Sequence, residues 1–145
     1  MIERLKAQMA ERATLFRRLV DEYGPALLDV VSAHTIETTR ARLQSADLDR
    51  RDLSTVMEIL WDRMVDGTEF EVEERTSRVL RLRVTKCLFA EEMRRLGAAD
   101  IGDAFYCAYD LGFCEGLNPA IRFTRTKTLM NGGACCDHTY ELDGA

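Results

Sequence analysis

Apolar positions along this chain repeat first at helical spacing and then at strand spacing, and the whole alternation occurs twice. Ile2, Leu5, Met9, Phe16, Leu19, Val20 and Tyr23 share one face of a helix. Gly24 suits the left-handed position after its end, and Pro25 suits the first turn of the next helix. That second helix is predicted over 25–43, with Leu27, Leu28, Val31, His34 and Thr38 along one side and His34 half-buried in that stripe. Residues 47–52 form a polar link. Thr55 and Glu58 match a capping box, and the helix they open carries Val56, Met57, Leu60, Trp61 and Met64 as far as Gly67. The period then falls to two. Residues 70–74 and 79–84 read as half-buried strands joined by a tight link at 75–77. Helices return over 87–96 and 101–115, and the run Gly116, Leu117, Asn118, Pro119 ends the second, since a proline disfavours helix in the residue before it. Strands over 121–130 and 135–142 close the chain.

Strands joined as hairpins predict an antiparallel sheet with helices on one side. The fold class is therefore α+β, with about four strands in two hairpins packed against about five helices. A length of 145 residues fits one domain: a helical part over 1–67, then a hairpin-helix-helix-hairpin part over 68–145.

Composition narrows the function classes. Hydrophobic residues make up 46% and charged residues 31%, the balance of a globular protein. A net charge of -5 excludes the basic face of a general nucleic-acid binder and leaves room for a local anion pocket. No apolar run is long enough to span a membrane, and residues 1–18 are charged and amphipathic without an apolar core, which points to the cytoplasm and to no membrane partner. Cys87, Cys107, Cys114, Cys135 and Cys136 are odd in number and form no C-x-x-C pair, so a disulfide framework is not expected.

The chemistry concentrates in the last third. On the strand over 121–130, alternation puts Ile121, Phe123, Arg125, Lys127 and Leu129 on one face. On the next it groups Cys136, His138, Tyr140 and Leu142. A two-residue Asn131-Gly132 turn would make these faces coincide and pair Lys127 with Cys136 and Arg125 with His138. Cys136 and His138 would then stand ~7 Å apart at their Cα atoms, close enough to share a substrate. The cations beside it would lower the Cys136 pKa towards the nucleophilic thiolate, and His138 would titrate near working pH. Cys87 stands at a predicted helix N-terminus, where the dipole also favours thiolate. Cys107 lies three before Asp110 on a helix, Cys114 is expected in the core, and Cys135 faces away.

Cys87-Leu88-Phe89-Ala90-Glu91, Cys107 with Asp110, the run from Glu115 to Pro119, the run from Phe123 to Leu129, and Gly132 followed by Cys136-Asp137-His138 together resemble the L-2-amino-thiazoline-4-carboxylic acid hydrolase family over about 87–140. Leu88 departs from the pattern, which has proline after the cysteine. The resemblance implies a hydrolase acting on a carbon–nitrogen bond of a small cyclic amidine acid, the named substrate being opened to N-carbamoyl-L-cysteine. From the residues themselves, Cys136 is the expected nucleophile, His138 the proton shuttle and Asp110 a further catalytic group; equally, water attacks directly and Cys136 only shapes the pocket. Arg125, Lys127, Thr126, Cys107, Cys87 and Glu91 are the expected substrate contacts. No cofactor and no metal is expected, and the long N-terminal helices could pair two copies of the chain. A second reading keeps the same pocket without catalysis, as a small-ligand sensor or as a metal site built from Cys87, Cys107, Cys136 and His138.

Overall fold

The computed structural model describes residues 1–144. Two long helices open it, α1 (Ile2–Tyr23) and α2 (Leu27–Ser45), and Gly24 turns the chain between them at a φ of 94°. The next helix, α3 (Leu53–Val56), starts earlier than the Thr55 reading. Asp52 is its cap: its carboxylate accepts the Thr55 N–H at 3.0 Å, and the Thr55 hydroxyl accepts the Asp52 N–H at 3.4 Å. The earlier start brings Leu53 into the core beside Val56. The helix then widens into a π-helical turn over Met57–Trp61 and ends there, short of Gly67.

Strands β1 (Glu69–Arg75) and β2 (Val79–Lys86) form the first hairpin, closed by the Thr76 hydroxyl, which accepts the Val79 N–H at 2.9 Å. A helical stretch follows: α4 (Leu88–Arg95), α5 (Ala99–Gly102), a second π-helical turn over Asp103–Cys107, and α6 (Tyr109–Leu117). Strands β3 (Arg122–Thr124) and β4 (Cys136–Glu141) complete one antiparallel sheet in the order β1-β2-β4-β3. The two hairpins therefore meet through β2 and β4, and the expected α+β architecture stands.

Alternation decides which face of the sheet is covered. Leu80, Leu82 and Val84 of β2 lie beside Tyr140, His138 and Cys136 of β4, and all six are buried beneath the helices. Gly112 and Gly116, one turn apart on α6, let that helix lie directly on α2. A methyl group on either would come within 2.4 Å of a carbonyl oxygen, of Ile36 or of Arg40 respectively. Because α2 offers Ile36, Thr39, Arg40 and Leu43 to that contact, its opposite side faces water, and His34 is exposed instead of half-buried. Arg51 ties the same pair together by donating to the carbonyls of Leu43 in the last turn of α2, of Ala46 just after it, and of Gly116 and Leu117 at the end of α6.

The last hairpin has the expected register and a different turn. Phe123 pairs with Tyr140 and Thr124 with Thr139, the alignment that would put Arg125 opposite His138. The ladder stops at that point instead of running to Met130, because Asp137 claims the backbone beyond it. Its carboxylate accepts the N–H groups of Thr126 at 2.8 Å and Lys127 at 2.9 Å, and the Thr126 hydroxyl donates to it as well. Gly132, at a φ of 87°, closes a wider turn in which Gly133 N–H donates to the Thr128 carbonyl at 2.8 Å and Gly132 N–H to that of Leu129 at 3.1 Å. Asn131-Gly132 thus ends a compact loop, not a two-residue hairpin.

Candidate active site

Between the covered face of the sheet and the helices lies a cavity of about 310 Å³. Both π-helical turns wall it, one with Ile59, Leu60 and Trp61, the other with Phe105, Tyr106 and Cys107. Such turns shift side chains out of the regular helical frame and are frequent at functional sites. The aromatic wall is braced by Phe89, which also lines the cavity, and by α1 behind it. Phe89 stacks on Tyr106 at 4.7 Å, Phe16 of α1 meets Phe105 edge-on at 4.9 Å, and the Arg12 guanidinium lies 4.5 Å above Phe105.

Arg125 and Asp110 form the polar end. The guanidinium donates to the Asp110 carboxylate at 2.8 Å and to the Cys107 carbonyl at 3.3 Å, and both side chains are nearly buried. Burial pushes the Asp110 pKa up to about 6, against the opposing pull of the Arg125 charge. At neutral pH this carboxylate is ionised and can take a proton with little driving force, as a general base must.

Cys136 and His138 line the same cavity from β4, but neither is in the state their spacing suggested. Burial raises the Cys136 thiol to about 11, outweighing the Leu129 N–H that donates to its sulfur at 3.2 Å and the lowering influence of Arg125. Lys127 is exposed and gives no help. Burial, with Arg125 nearby, drives the His138 pKa down to about 3, so its ring is neutral throughout the physiological range. The Cys87 and Cys107 thiols are likewise raised by burial, and at Cys87 this overrides the backbone N–H groups of the helix start.

A chain of hydrogen bonds orients the neutral imidazole. Trp61 Nε1 donates to Tyr140 Oη at 3.2 Å, and Tyr140 Oη lies 3.2 Å from His138 Nδ1. An indole nitrogen can only donate, so the tyrosine hydroxyl accepts there and has one proton left to give. Its second contact, with Nδ1, fixes the plane of the imidazole and turns Nε2 away from the tyrosine. Phe123 stacks on Tyr140 at 5.0 Å and Trp61 meets the imidazole edge-on at 4.9 Å, which holds the rings in place. His138 is thus a neutral imidazole held in one orientation, not a ready base.

A family model described as L-2-amino-thiazoline-4-carboxylic acid hydrolase matches residues 3–140. The chain belongs to the L-2-amino-thiazoline-4-carboxylic acid hydrolase family. No curated protein and no solved structure matches it. The family match takes in the N-terminal helices as well as the region over 87–140, in keeping with their place here: α1 braces the aromatic wall and α2 carries α6.

The residues singled out from the sequence divide into two groups. Cys136, His138, Asp110, Arg125, Cys107 and Cys87 all line the cavity. Lys127 and Thr126 lie outside it, in a shallower recess shared with Arg125, Asp103 and Asn131. Glu91 is exposed and borders a third hollow beside Cys87 and Arg94. Cys114 is in the core as expected, and Cys135 is buried but does not line the cavity. Cys87, Cys107, Cys136 and His138 share the cavity without converging: among the described residues no group of three or more His, Cys, Asp or Glu is placed to hold a metal ion. Among those residues, too, no helix is long and apolar enough to cross a membrane. Tyr140 and Trp61 escaped notice as functional residues. Alternation put Tyr140 on the face of His138, but nothing in the spacing of Trp61 showed that its indole would reach across to that tyrosine.

Proposed function

We propose that this chain opens the ring of a small cyclic amidine acid by hydrolysis at the amidine carbon. The observation that carries the proposal is the convergence of Arg125, Asp110, His138 and Cys136 on one sheltered cavity. Arg125 holds the substrate carboxylate with the N–H groups not committed to Asp110 and Cys107, a two-point grip suited to its planar fork. Asp110 accepts the proton of the attacking group. In this reading Nδ1 accepts the Tyr140 proton, and His138 donates from Nε2 to the nitrogen or oxygen on which charge builds. Cys136 is roughly one part in ten thousand thiolate at neutral pH from its pKa of about 11, so a covalent route requires Asp110 to take the thiol proton during attack. In the other route, Asp110 activates water directly and Cys136 shapes the pocket.

The ring bond that breaks follows from the product. If the amidine carbon of 2-amino-thiazoline-4-carboxylate gains water and loses sulfur, N-carbamoyl-cysteine with a free thiol results. If it loses the ring nitrogen, as carbon–nitrogen hydrolysis requires, the product is the S-carbamoyl isomer with a free amine. The test is to incubate purified protein with that compound and related cyclic amidine acids, and to assay free thiol, free amine and product mass. Ring opening by wild type, lost on Arg125→Ala, is expected. A Cys136→Ser variant that retains at least about a tenth of the rate would select the direct-water route, whereas a covalent nucleophile would lose far more. Absence of ring opening for every amidine acid, with tight binding retained, would favour the sensor reading, which the uncharged thiol and imidazole also suit.

A further inference from the structure

One polar atom in the cavity wall is left without a partner. Thr68 lines the cavity, its Oγ1 is buried, and among the described residues no donor or acceptor reaches it. A buried hydroxyl is rarely left so, because its hydrogen bonds to water are given up with nothing in exchange. Gly67, its neighbour in the chain, lies close against Leu88, and the same cavity is lined by Ile59, Met64 and Val65, with Arg63 between them in the chain.

The sheet order places the backbones that carry this hydroxyl and the guanidinium at opposite edges of the sheet. Thr68 leads into β1 and Arg125 follows β3, the two outer strands. Three strand intervals separate their backbones, about 14 Å at the usual spacing. A cavity of about 310 Å³ is also roughly twice the ~150 Å³ that accommodates a benzene ring. A small ring with its carboxylate on Arg125 would leave the Thr68 end empty. We propose that Thr68 is a specificity-determining residue. Its hydroxyl hydrogen-bonds a polar group on an apolar arm of the substrate, and the substrate is a ring acid larger than a bare amino-thiazoline carboxylate. The inference rests on the cavity being the substrate site and does not need the ring to be opened there.

Equilibrium binding tests it apart from turnover. The probes are 2-amino-thiazoline-4-carboxylate and its analogues carrying a phenyl or a hydroxyphenyl group on the ring carbon next to sulfur, measured by titration calorimetry. Wild type is expected to bind the hydroxyphenyl analogue at least about tenfold tighter than the phenyl analogue, and the bare ring acid most weakly. Thr68→Val, which keeps the shape and removes the hydroxyl, should abolish the difference between the two arms; Thr68→Ser should preserve it. A melt of the free proteins separates recognition from architecture. Since the hydroxyl has no partner in the chain, Thr68→Val should melt no lower than wild type. Equal affinities of wild type and Thr68→Val across the series would overturn the proposal. So would a lowered melting temperature in Thr68→Val, tightest binding of the bare ring acid, or failure of every probe to bind wild type. Hydrolysis of the bare acid without these preferences would leave the proposed activity standing and remove this inference alone.

Discussion

A carboxylate at about 6 and an imidazole at about 3 share one cavity because burial acts on them in the same sense: it opposes charge on both. For an acid that raises the pKa, and for a base it lowers it. The proposed base is therefore Asp110, and kcat/KM is expected to rise with pH and level off above about 6, where Asp110 is ionised. Arg125→Gln removes the charge that restrains this shift, so the Asp110 carboxyl, followed by NMR titration of the free protein, should lose its proton at higher pH; an unchanged titration in Arg125→Gln would count against this account of Asp110. Tyr140→Phe tests the orientation of His138. It strips Trp61 Nε1 of its acceptor and His138 Nδ1 of its partner, both in the core. Loss of about 1–3 kcal/mol of stability is expected for such orphaned groups. A fall in kcat should accompany it, with both His138 tautomers appearing in the nitrogen spectrum. Retention of the single Nε2–H tautomer in that variant would show that something else holds the ring. Residue identities at the site were legible beforehand in Cys136, His138, Asp110 and Arg125. Their protonation was not, because the same four side chains on an exposed sheet would have ordinary pKa values.

Elements reach their places through a few contacts that spacing alone announces weakly. Gly112 and Gly116 look like interruptions of a helix, where glycine is a poor former. Their use appears only when α2 lies across them and takes the room a side chain would need. Gly112→Ala should therefore destabilise the protein, although alanine is the better helix former. The expected cost is at least the 1–3 kcal/mol typical of overpacking, read as a lower midpoint in urea with an unchanged slope. A neutral or stabilising effect would mean that α6 can move off α2 freely. The final hairpin shows the reverse case. Alternation gave the correct register for β3 and β4, yet an Asn-Gly pair pointed to a short turn that Asp137 pre-empts by binding the backbone at Thr126 and Lys127. Local turn chemistry lost to a side chain eleven residues from Thr126, a partner no local rule takes into account.

At the scale of the whole molecule, the two perturbed groups leave opposing marks on stability. The His138 pKa falls from its ordinary 6.5 to about 3, so as pH drops below 6.5 the unfolded chain takes a proton the folded one refuses, and stability is lost. The Asp110 pKa rises from 3.8 to about 6, so the folded chain takes its proton first, and stability is gained as pH falls from about 6 to 3.8. Each effect has a limiting slope of about 1.4 kcal/mol per pH unit. In wild type they nearly cancel between about pH 6 and 4. Asp110→Asn should expose the loss, with stability falling on acidification through that range, and His138→Gln should expose the gain. Denaturant melts at several pH values would show it, and parallel profiles for the two variants would refute the assignment. The amino-acid sequence by itself determined the order of helices and strands, the α+β class, the strand register and the family, since periodicity and motif spacing are carried by the chain before it folds; the Asp52 cap and the two π-helical turns were not among these. Only the tertiary structure decided that the thiol and imidazole are neutral, that Trp61 and Tyr140 orient the ring, that Lys127 and Glu91 stand outside the cavity, and that Thr68 is left unpartnered within it. Those are matters of burial and of which distant groups meet, and they arise when helices from both halves of the chain close over the sheet.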